Sequence, residues 1–408
     1  MTLIESFDRS PLQNIAGCLA IRPDTLILVG KKAELDKSAA HYRALLEKKG
    51  LKTALLTAPT EAENVEQVAQ LLEQLVKKHS PCIFDIFGGN EVVLTAAGVV
   101  YQKMKGDYPI SLQQMDLQRG LPLDADGDGM VRQGAAPQLT VKETIELNGG
   151  AIISEKSDAA EGFAAAELNP LWSMMKKDPN RWNKAVGILN EFEKRAGRDR
   201  STEEFKLELG AAAAGMSNAE EKRKTYLGLL EKLYLRGALS MLQMDGNRVR
   251  YRYKNKLLRR CTKTAGNLLE YKTLLEAREY APQGEPFFND SLLGVMMDWD
   301  GVVHWERSKF DTKNEIDVIA MHGVVPLFIS CKNGAVDEEE LYKLHTVAAT
   351  LGGEFAKKLL ITTDFDGDHT ASGRAFLRRA EDMGIYLEPH AAQLDQAGWA
   401  QLFERIFS

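Results

Sequence analysis

Polar and apolar residues alternate along Asn314-Glu315-Ile316-Asp317-Val318 and again along Phe328-Ile329-Ser330-Cys331-Lys332-Asn333, which predicts two strands. The stretch from Met321 to Pro326 between them reverses the chain and makes a hairpin. Strand side chains repeat with period two, so Glu315 and Asp317 share one face, and Ser330 and Lys332 share a face of the partner strand. Carboxylates facing a lysine across a hairpin admit two readings. One is a cross-strand salt bridge. The other is a metal-dependent phosphodiesterase, in which a carboxylate holds a hard divalent cation and the lysine orients water or steadies an anionic transition state.

Upstream, the first 150 residues alternate strand and helix patterns. Asp24 to Gly30, Lys52 to Thr57 and Cys82 to Ile86 read as strands, and Lys37 to Lys49 and Ala62 to His79 as amphipathic helices. That order predicts an α/β, Rossmann-like unit: a parallel sheet wrapped by helices, with ligands bound beyond the carboxyl ends of its strands. Two loops there lead into helices, Asp8 to Asn14 and Gly88-Gly89-Asn90-Glu91. Backbone amides at helix starts can face an anion or a base edge, and a tight turn accounts for the glycines equally well. The pattern becomes helical from Leu168 to Ala196 and from Tyr226 to Gly237. A hairpin follows, of Leu239–Met244 and Arg248–Tyr253 around Asp245-Gly246-Asn247, which gives the middle of the chain a winged-helix-like character. One long helix is expected over Lys256 to Glu279, then a strand within Pro286 to Asp298, then the hairpin. A helix from Asp337 to Leu351, a strand from Lys358 to Thr363, and helices from Ser372 to Met383 and Gln393 to Phe407 complete a mixed sheet flanked by helices. The expected domains are 1–150, 151–255 and 256–408.

Composition narrows the chemistry. With 44% hydrophobic and 27% charged residues and no apolar run of membrane-spanning length, the chain reads as globular, and a start without a secretory pattern makes the cytoplasm the expected location. Cys18, Cys82, Cys261 and Cys331 are far apart, so neither a zinc knuckle nor a disulfide framework is indicated. The net charge of −6 is uneven: from Gly246 to Leu269 there are eight Lys or Arg and no acid, a block that can attract a phosphate backbone. Asp124-Ala125-Asp126-Gly127-Asp128-Gly129 opens like a calcium loop, but its twelfth position is Ala135 where a bidentate glutamate is required. Asp364-Phe365-Asp366-Gly367-Asp368 fails in the same way at Ala375, so both are expected to be turns.

A third element joins the hairpin. In Gly266-Asn267-Leu268-Leu269-Glu270-Tyr271 an acid lies within an apolar stretch, where an unpaired carboxylate is costly, and a glutamate on a helix beside the Asp317 strand can complete a divalent-metal site. The set of Glu270, Asp317 and Ser330-Cys331-Lys332 resembles the PD-(D/E)xK nuclease core. Together with Asp298-Trp299-Asp300-Gly301, Asn314 to Val318, Lys343-Leu344 and Leu351-Gly352-Gly353, it resembles the nuclease half of CARF-domain effectors. Phe7-Asp8-Arg9-Ser10-Pro11-Leu12-Gln13-Asn14, Arg22-Pro23-Asp24 and Phe84-Asp85-Ile86-Phe87-Gly88-Gly89 resemble their CARF domain.

This resemblance spans nearly the whole chain. It implies a type III CRISPR accessory nuclease: a homodimer with an N-terminal CARF domain, a helical connector and a C-terminal restriction-endonuclease-like domain. Such proteins are activated by a cyclic oligoadenylate, usually the tetra-adenylate, and hydrolyse RNA, DNA or both with Mn2+ or Mg2+. Carried over, Ser10, Leu12, Gln13, Asn14, Lys31, Gly88, Gly89 and Asn90 line the activator pocket. Glu270, Asp317 and the Cys331 carbonyl hold metal, and Lys332 assists attack by water. The sequence departs from the pattern at Ser330, where a carboxylate is usual, so the third ligand would come from Glu315, from water or from the backbone. The rival from another class is a CARF-based DNA-binding regulator with a degraded nuclease core, and cleavage of the activator by the CARF domain itself is also compatible with the sequence.

Overall fold

The computed structural model describes residues 1–127, 136–199, 203–304, 313–363, 365 and 367–408. The chain is a mixed α/β structure carried on three sheets. The first contains β1 (Thr2–Ser6), β2 (Thr25–Gly30), β3 (Ala54–Pro59), β4 (Cys82–Asp85), β5 (Ile110–Asp116) and β6 (Leu121–Asp124), in the order β3-β2-β1-β4-β5-β6. All its pairs are parallel except β5 with β6. Leu26 to Val29 of β2 are buried without alternation, as a parallel strand covered on both faces requires. The helices are α1 (Ala16–Ile21), α2 (Lys32–Lys48), α3 (Val65–His79) and α4 (Glu91–Met104). Strand β1, central in this sheet, was not among the expected elements. Its Thr2-Leu3-Ile4-Glu5-Ser6 pattern is too short to stand out beside the longer β2.

Helix α5 (Val141–Leu147) and strand β7 (Ala151–Ser154) follow, and β7 joins the third sheet. The middle of the chain contains α6 (Asn169–Met175), α7 (Pro179–Glu193), β8 (Gly197–Asp199), β9 (Glu204–Glu208), α8 (Leu209–Ala213), α9 (Ala219–Leu235), β10 (Leu239–Asp245) and β11 (Arg248–Tyr253). Its strands form an antiparallel sheet, β10-β11-β9-β8, in which the expected hairpin is present and two further strands extend it.

The expected helix over Lys256 to Glu279 is two helices, α10 (Lys256–Cys261) and α11 (Asn267–Glu279). The interruption ends at Gly266, a poor helix residue, and is bridged by Asn267 Nδ2, which donates to the Arg260 carbonyl at 2.9 Å. Its effect is to place Glu270 in the first turn of α11. The third sheet adds β12 (Asp290–Asp298), β13 (Lys313–His322) and β14 (Val325–Lys332), then α12 (Glu338–Gly352), β15 (Lys357–Thr362), α13 (Ala371–Asp382), β16 (Ile385–Glu388) and α14 (Gln396–Phe407). The order is β16-β15-β14-β13-β12-β7, antiparallel from β7 to β14 and parallel beyond. The β13–β14 turn is tighter than expected, since both strands run on to His322 and Val325. Asp128 and Gly129 of the first acidic loop, and Asp364 and Asp366 of the second, lie outside the described residues.

One apolar core runs from the first sheet through Leu3 and Leu28, across α5 through Val141 and Ile145, to Val295, Met297 and Phe328 of the third sheet. A second core packs the other face of the third sheet, with Val318, Leu327 and Ile329, against α11, α14 and the helical middle. Continuous packing of this kind fixes the loops after β1 and β4 relative to the hairpin. Among the described residues no helix is long and apolar enough to cross a membrane.

Candidate active site and activator loops

The site lies where two central strands part. β13 and β14 pair from His322–Val325 to Val318–Ile329, and beyond that point β13 stays paired with β12 while β14 stays paired with β15 as far as Lys332–Thr362. Asp317 occupies the fork, and its Oδ2 accepts the Cys331 N–H at 2.7 Å. The Ser330 hydroxyl is 3.4 Å from the same Oδ2 and donates to Glu340 Oε1 at 2.7 Å. Lys332 Nζ lies 2.8 Å from Glu340 Oε2. Asn333, the next residue, pins the end of the strand by donating to Asn183 Oδ1 at 2.7 Å and to the Ala265 carbonyl at 2.9 Å.

Glu270 reaches the fork from α11. Its carboxyl is pushed up to about 7, first by burial and then by the charge of Asp317; Lys156 and Lys332 pull the other way. Asp317 is also raised, chiefly by burial, against the Cys331 N–H and Lys332. Two half-buried carboxylates, both held above their ordinary values, are a place where a cation is electrostatically welcome. Glu340 differs: burial raises it, but hydrogen bonds from Lys332 and Ser330 outweigh burial and keep it below the ordinary glutamate value. Burial works against the charge of Lys332, and its bond to Glu340 more than offsets this, holding the lysine above its ordinary value.

The expected residues therefore fall into two groups. Glu270, Asp317, Ser330 and Lys332 come together. Glu315 stands on the rim, more than a third exposed, in an ion pair with Lys156. The stem of Lys156 fits against Gly294, which has φ of +55°; a Cβ there would lie 2.6 Å from Lys156 Cδ. The Cys331 thiol turns toward α11 and donates to Thr273 Oγ1 at 3.7 Å, so a metal contact from this residue falls to its carbonyl. Two residues at the site were not anticipated, Glu340 and Lys156. In sequence, Asp337-Glu338-Glu339-Glu340 reads as acids complementing a helix N-terminus, which hides the separate use of Glu340.

Among the described residues no three His, Cys, Asp or Glu side chains converge closely enough to enclose a metal ion. The donors at the fork are nonetheless hard oxygens, and two carboxyls held above their ordinary values fit Mg2+ or Mn2+ rather than a thiolate-loving ion.

The second cluster lies beyond the carboxyl ends of β1 and β4. Ser10 Oγ and Gln13 Oε1 are buried without a hydrogen-bond partner, which fits a ligand that supplies one. Gln13 packs against Gly88 so closely that a Cβ there would overlap its Oε1. Leu12 is buried, and Lys31 is exposed at the start of α2. Two other expected residues, Asn14 and Asn90, and the Gly89 amide have partners within the protein. Asn14 is fully buried, with its amide donating to the Asp8 carbonyl at 2.7 Å and to Tyr42 Oη at 2.9 Å, which shapes the loop. The Gly89 and Asn90 amides do not face open space: they donate to Asp8 Oδ2 and Ser6 Oγ, both at 2.9 Å. The Asn90 side chain caps α4.

The raised pKa of Glu270 makes stability depend on pH in a definite direction. The native state keeps this proton up to about 7 and the unfolded chain only to about 4.5, so the contribution is complete below 4.5 and is lost as pH rises to 7. Its size is on the order of 3 kcal/mol. Urea unfolding in EDTA at pH 5 and pH 8 should show Glu270→Gln gaining on the parent protein at the higher pH. Parallel behaviour of the two proteins at both pH values would contradict the assignment.

No family model matches the chain, and no curated protein does. Solved structures do. Protein VC1899 from Vibrio cholerae superposes with a TM-score of 0.70 at 16% identity, covering 100% of this chain and 97% of that one. Can2 from Sulfobacillus thermosulfidooxidans, in complex with cyclic tetra-adenylate, gives 0.64 at 14% identity over 100% and 97%. A type III CRISPR defence DNA nuclease activated by cyclic oligoadenylate gives 0.50 at 13% identity, covering 89% of this chain and 45% of that chain. At these identities the likeness is one of fold, and for the first two proteins it extends over the entire chain.

Proposed function

We propose that this protein is a cyclic-oligoadenylate-activated, metal-dependent nuclease of type III CRISPR defence, acting as a homodimer on RNA, DNA or both. The domains are 1–150 for activator binding, 151–255 as a connector and 256–408 for cleavage, the last completed by β7 at the sheet edge. The observation that carries the reading is the fork: two half-buried carboxylates from different elements and a lysine two residues after Ser330, in a chain that shares its whole fold with a protein bound to cyclic tetra-adenylate.

In this reading Glu270, Asp317 and the Cys331 carbonyl hold a divalent cation, Mn2+ or Mg2+, which supplies charge neutralisation and Lewis acidity at a phosphodiester. Asp317 is fixed by its bond to the Cys331 N–H, so its second oxygen has a set direction. Lys332 offers three donors beside it, enough to orient an attacking water and to stabilise charge developing on a phosphate oxygen. Lys156 gives the rim a second positive group facing the incoming phosphate. At the other end, Ser10 and Gln13 engage the activator, and Gly88 leaves room for the Gln13 side chain.

The rival reading, a DNA-binding regulator working through the basic stretch, is weakened by what that stretch touches. Arg250 and Arg252 are bound to Glu204, Arg259 to Glu193 and Arg260 to Asp158, so half of the eight basic residues already have acidic partners.

Incubation of purified protein with plasmid and with RNA, in Mn2+, with and without cyclic tetra-adenylate, separates the two. Activator-dependent cutting that falls about 100-fold or more in Lys332→Ala is expected. Tight, salt-sensitive DNA binding without cutting would favour the regulator instead.

A further inference from the structure

Glu340 sets its carboxylate against Ser330, the position where the resembling pattern has a carboxylate of its own. It is the third residue of α12, where a glutamate after an Asp N-cap ordinarily reaches back to the backbone N–H of the cap residue. The first half of that arrangement is present, with Asp337 accepting the Glu340 N–H at 3.3 Å. The Glu340 side chain has left it, and instead meets Ser330 Oγ at 2.7 Å and Lys332 Nζ at 2.8 Å. Ser330 is thus the short bridge between Asp317 and Glu340. One substitute expected from the sequence, Glu315, is held on the rim by Lys156. Resting on the nuclease reading above, we propose that Glu340 is the third carboxylate of the metal site, supplied from the helix in place of the strand position at Ser330. A rotation of its side chain away from Lys332 turns it toward a cation between Glu270 and Asp317 and leaves the lysine free for the phosphate.

Calorimetric titration with Mn2+ in the absence of nucleic acid tests this without relying on turnover. Glu340→Gln should weaken Mn2+ binding by about tenfold or more, Glu315→Gln should leave it within about twofold, and the double variant Ser330→Glu/Glu340→Gln should regain it. Thermal melts without metal check that each variant folds. Unchanged affinity in Glu340→Gln would overturn the assignment while leaving the nuclease reading intact. A parent protein that takes up no Mn2+ would overturn both.

A different pair of contacts carries a second inference. Just past the other end of α12, Glu354 accepts a hydrogen bond from Gln13 Nε2, and Phe355 stacks on Phe87 with ring centroids 5.6 Å apart. Gln13 and Phe87 belong to the two loops assigned to the activator. The helix between is held by buried Leu341, Leu344, Val347 and Leu351, so one rigid element touches Lys332 at its start and the activator loops at its end. A glutamine reads an adenine by using its carbonyl and its amide together. The Gln13 carbonyl is unpartnered and its amide is held by Glu354. On the reading of these loops as an adenine-binding site, we infer that activator binding draws Gln13 from Glu354 and that α12 relays the change to Glu340 and Lys332.

Coupling is reciprocal, so removing the competitor should favour the activator. Glu354 is exposed, and Glu354→Ala should bind cyclic tetra-adenylate about fivefold or more tightly by calorimetry and show raised cleavage without activator. Glu354→Gln, which retains an acceptor, should behave nearly as the parent. Parent-like affinity in Glu354→Ala would overturn the relay, whereas a parent protein that binds no cyclic tetra-adenylate would overturn the activator reading itself.

Discussion

The chemistry proposed for this protein depends on two carboxylates sharing a half-buried fork. Glu270 and Asp317 come from a helix and a strand that are far apart in sequence; burial raises both, and the charge of Asp317 raises Glu270 further. Lys156 and Lys332 offset only part of this, which leaves the Glu270 carboxyl pushed up to about 7. An arrangement that opposes its own ionisation is costly for folding alone, and a divalent cation removes the cost. The surrounding architecture keeps the pair together. Asn333 ties the end of β14 to the helical middle, Gly294 makes room for Lys156, and the break before α11 delivers Glu270 at the start of a helix.

The same architecture connects the site to the other end of the molecule. A core that passes from the first sheet through α5 into the third sheet leaves little freedom between the two halves. Helix α12 lies in that core with Glu340 at one end and Glu354 just past the other. Interiors packed at crystal-like density transmit small displacements, so a change at Gln13 has a short physical route to Lys332. In the proposed reading, regulation and chemistry share one helix.

Much of this was legible in the sequence, and the gaps have physical causes. Strand alternation exposed the hairpin, and an acid in an apolar run exposed Glu270. The helix starts after Asp8 to Asn14 and after Gly88 to Glu91 pointed to two loops, and in the first of them Ser10 and Gln13 have unpartnered atoms, although the strand that precedes it was not foreseen. Roles that depend on competition for partners were not legible. Glu340 looked like a helix-dipole residue, because nothing local says that its side chain turns to Ser330. Asn14 looked like a ligand contact, but Asp8 and Tyr42 absorb its amide. The basic stretch from Gly246 to Leu269 looked available to nucleic acid, yet Glu193 and Glu204, distant in sequence, fold back onto it. Period-two and period-3.6 patterns reveal which face a residue occupies and are silent about which neighbour claims it.

The account stands or falls on whether the fork binds a divalent cation through these carboxylates. The most direct measurement is the number of protons released when Mn2+ binds, obtained by calorimetry in buffers of differing ionisation enthalpy. A carboxyl held near 7 must lose its proton to become a ligand, so more protons should be released at pH 6 than at pH 8, and the difference should vanish in Glu270→Gln. Absence of Mn2+ uptake, or uptake with the same proton release at both pH values, would contradict it.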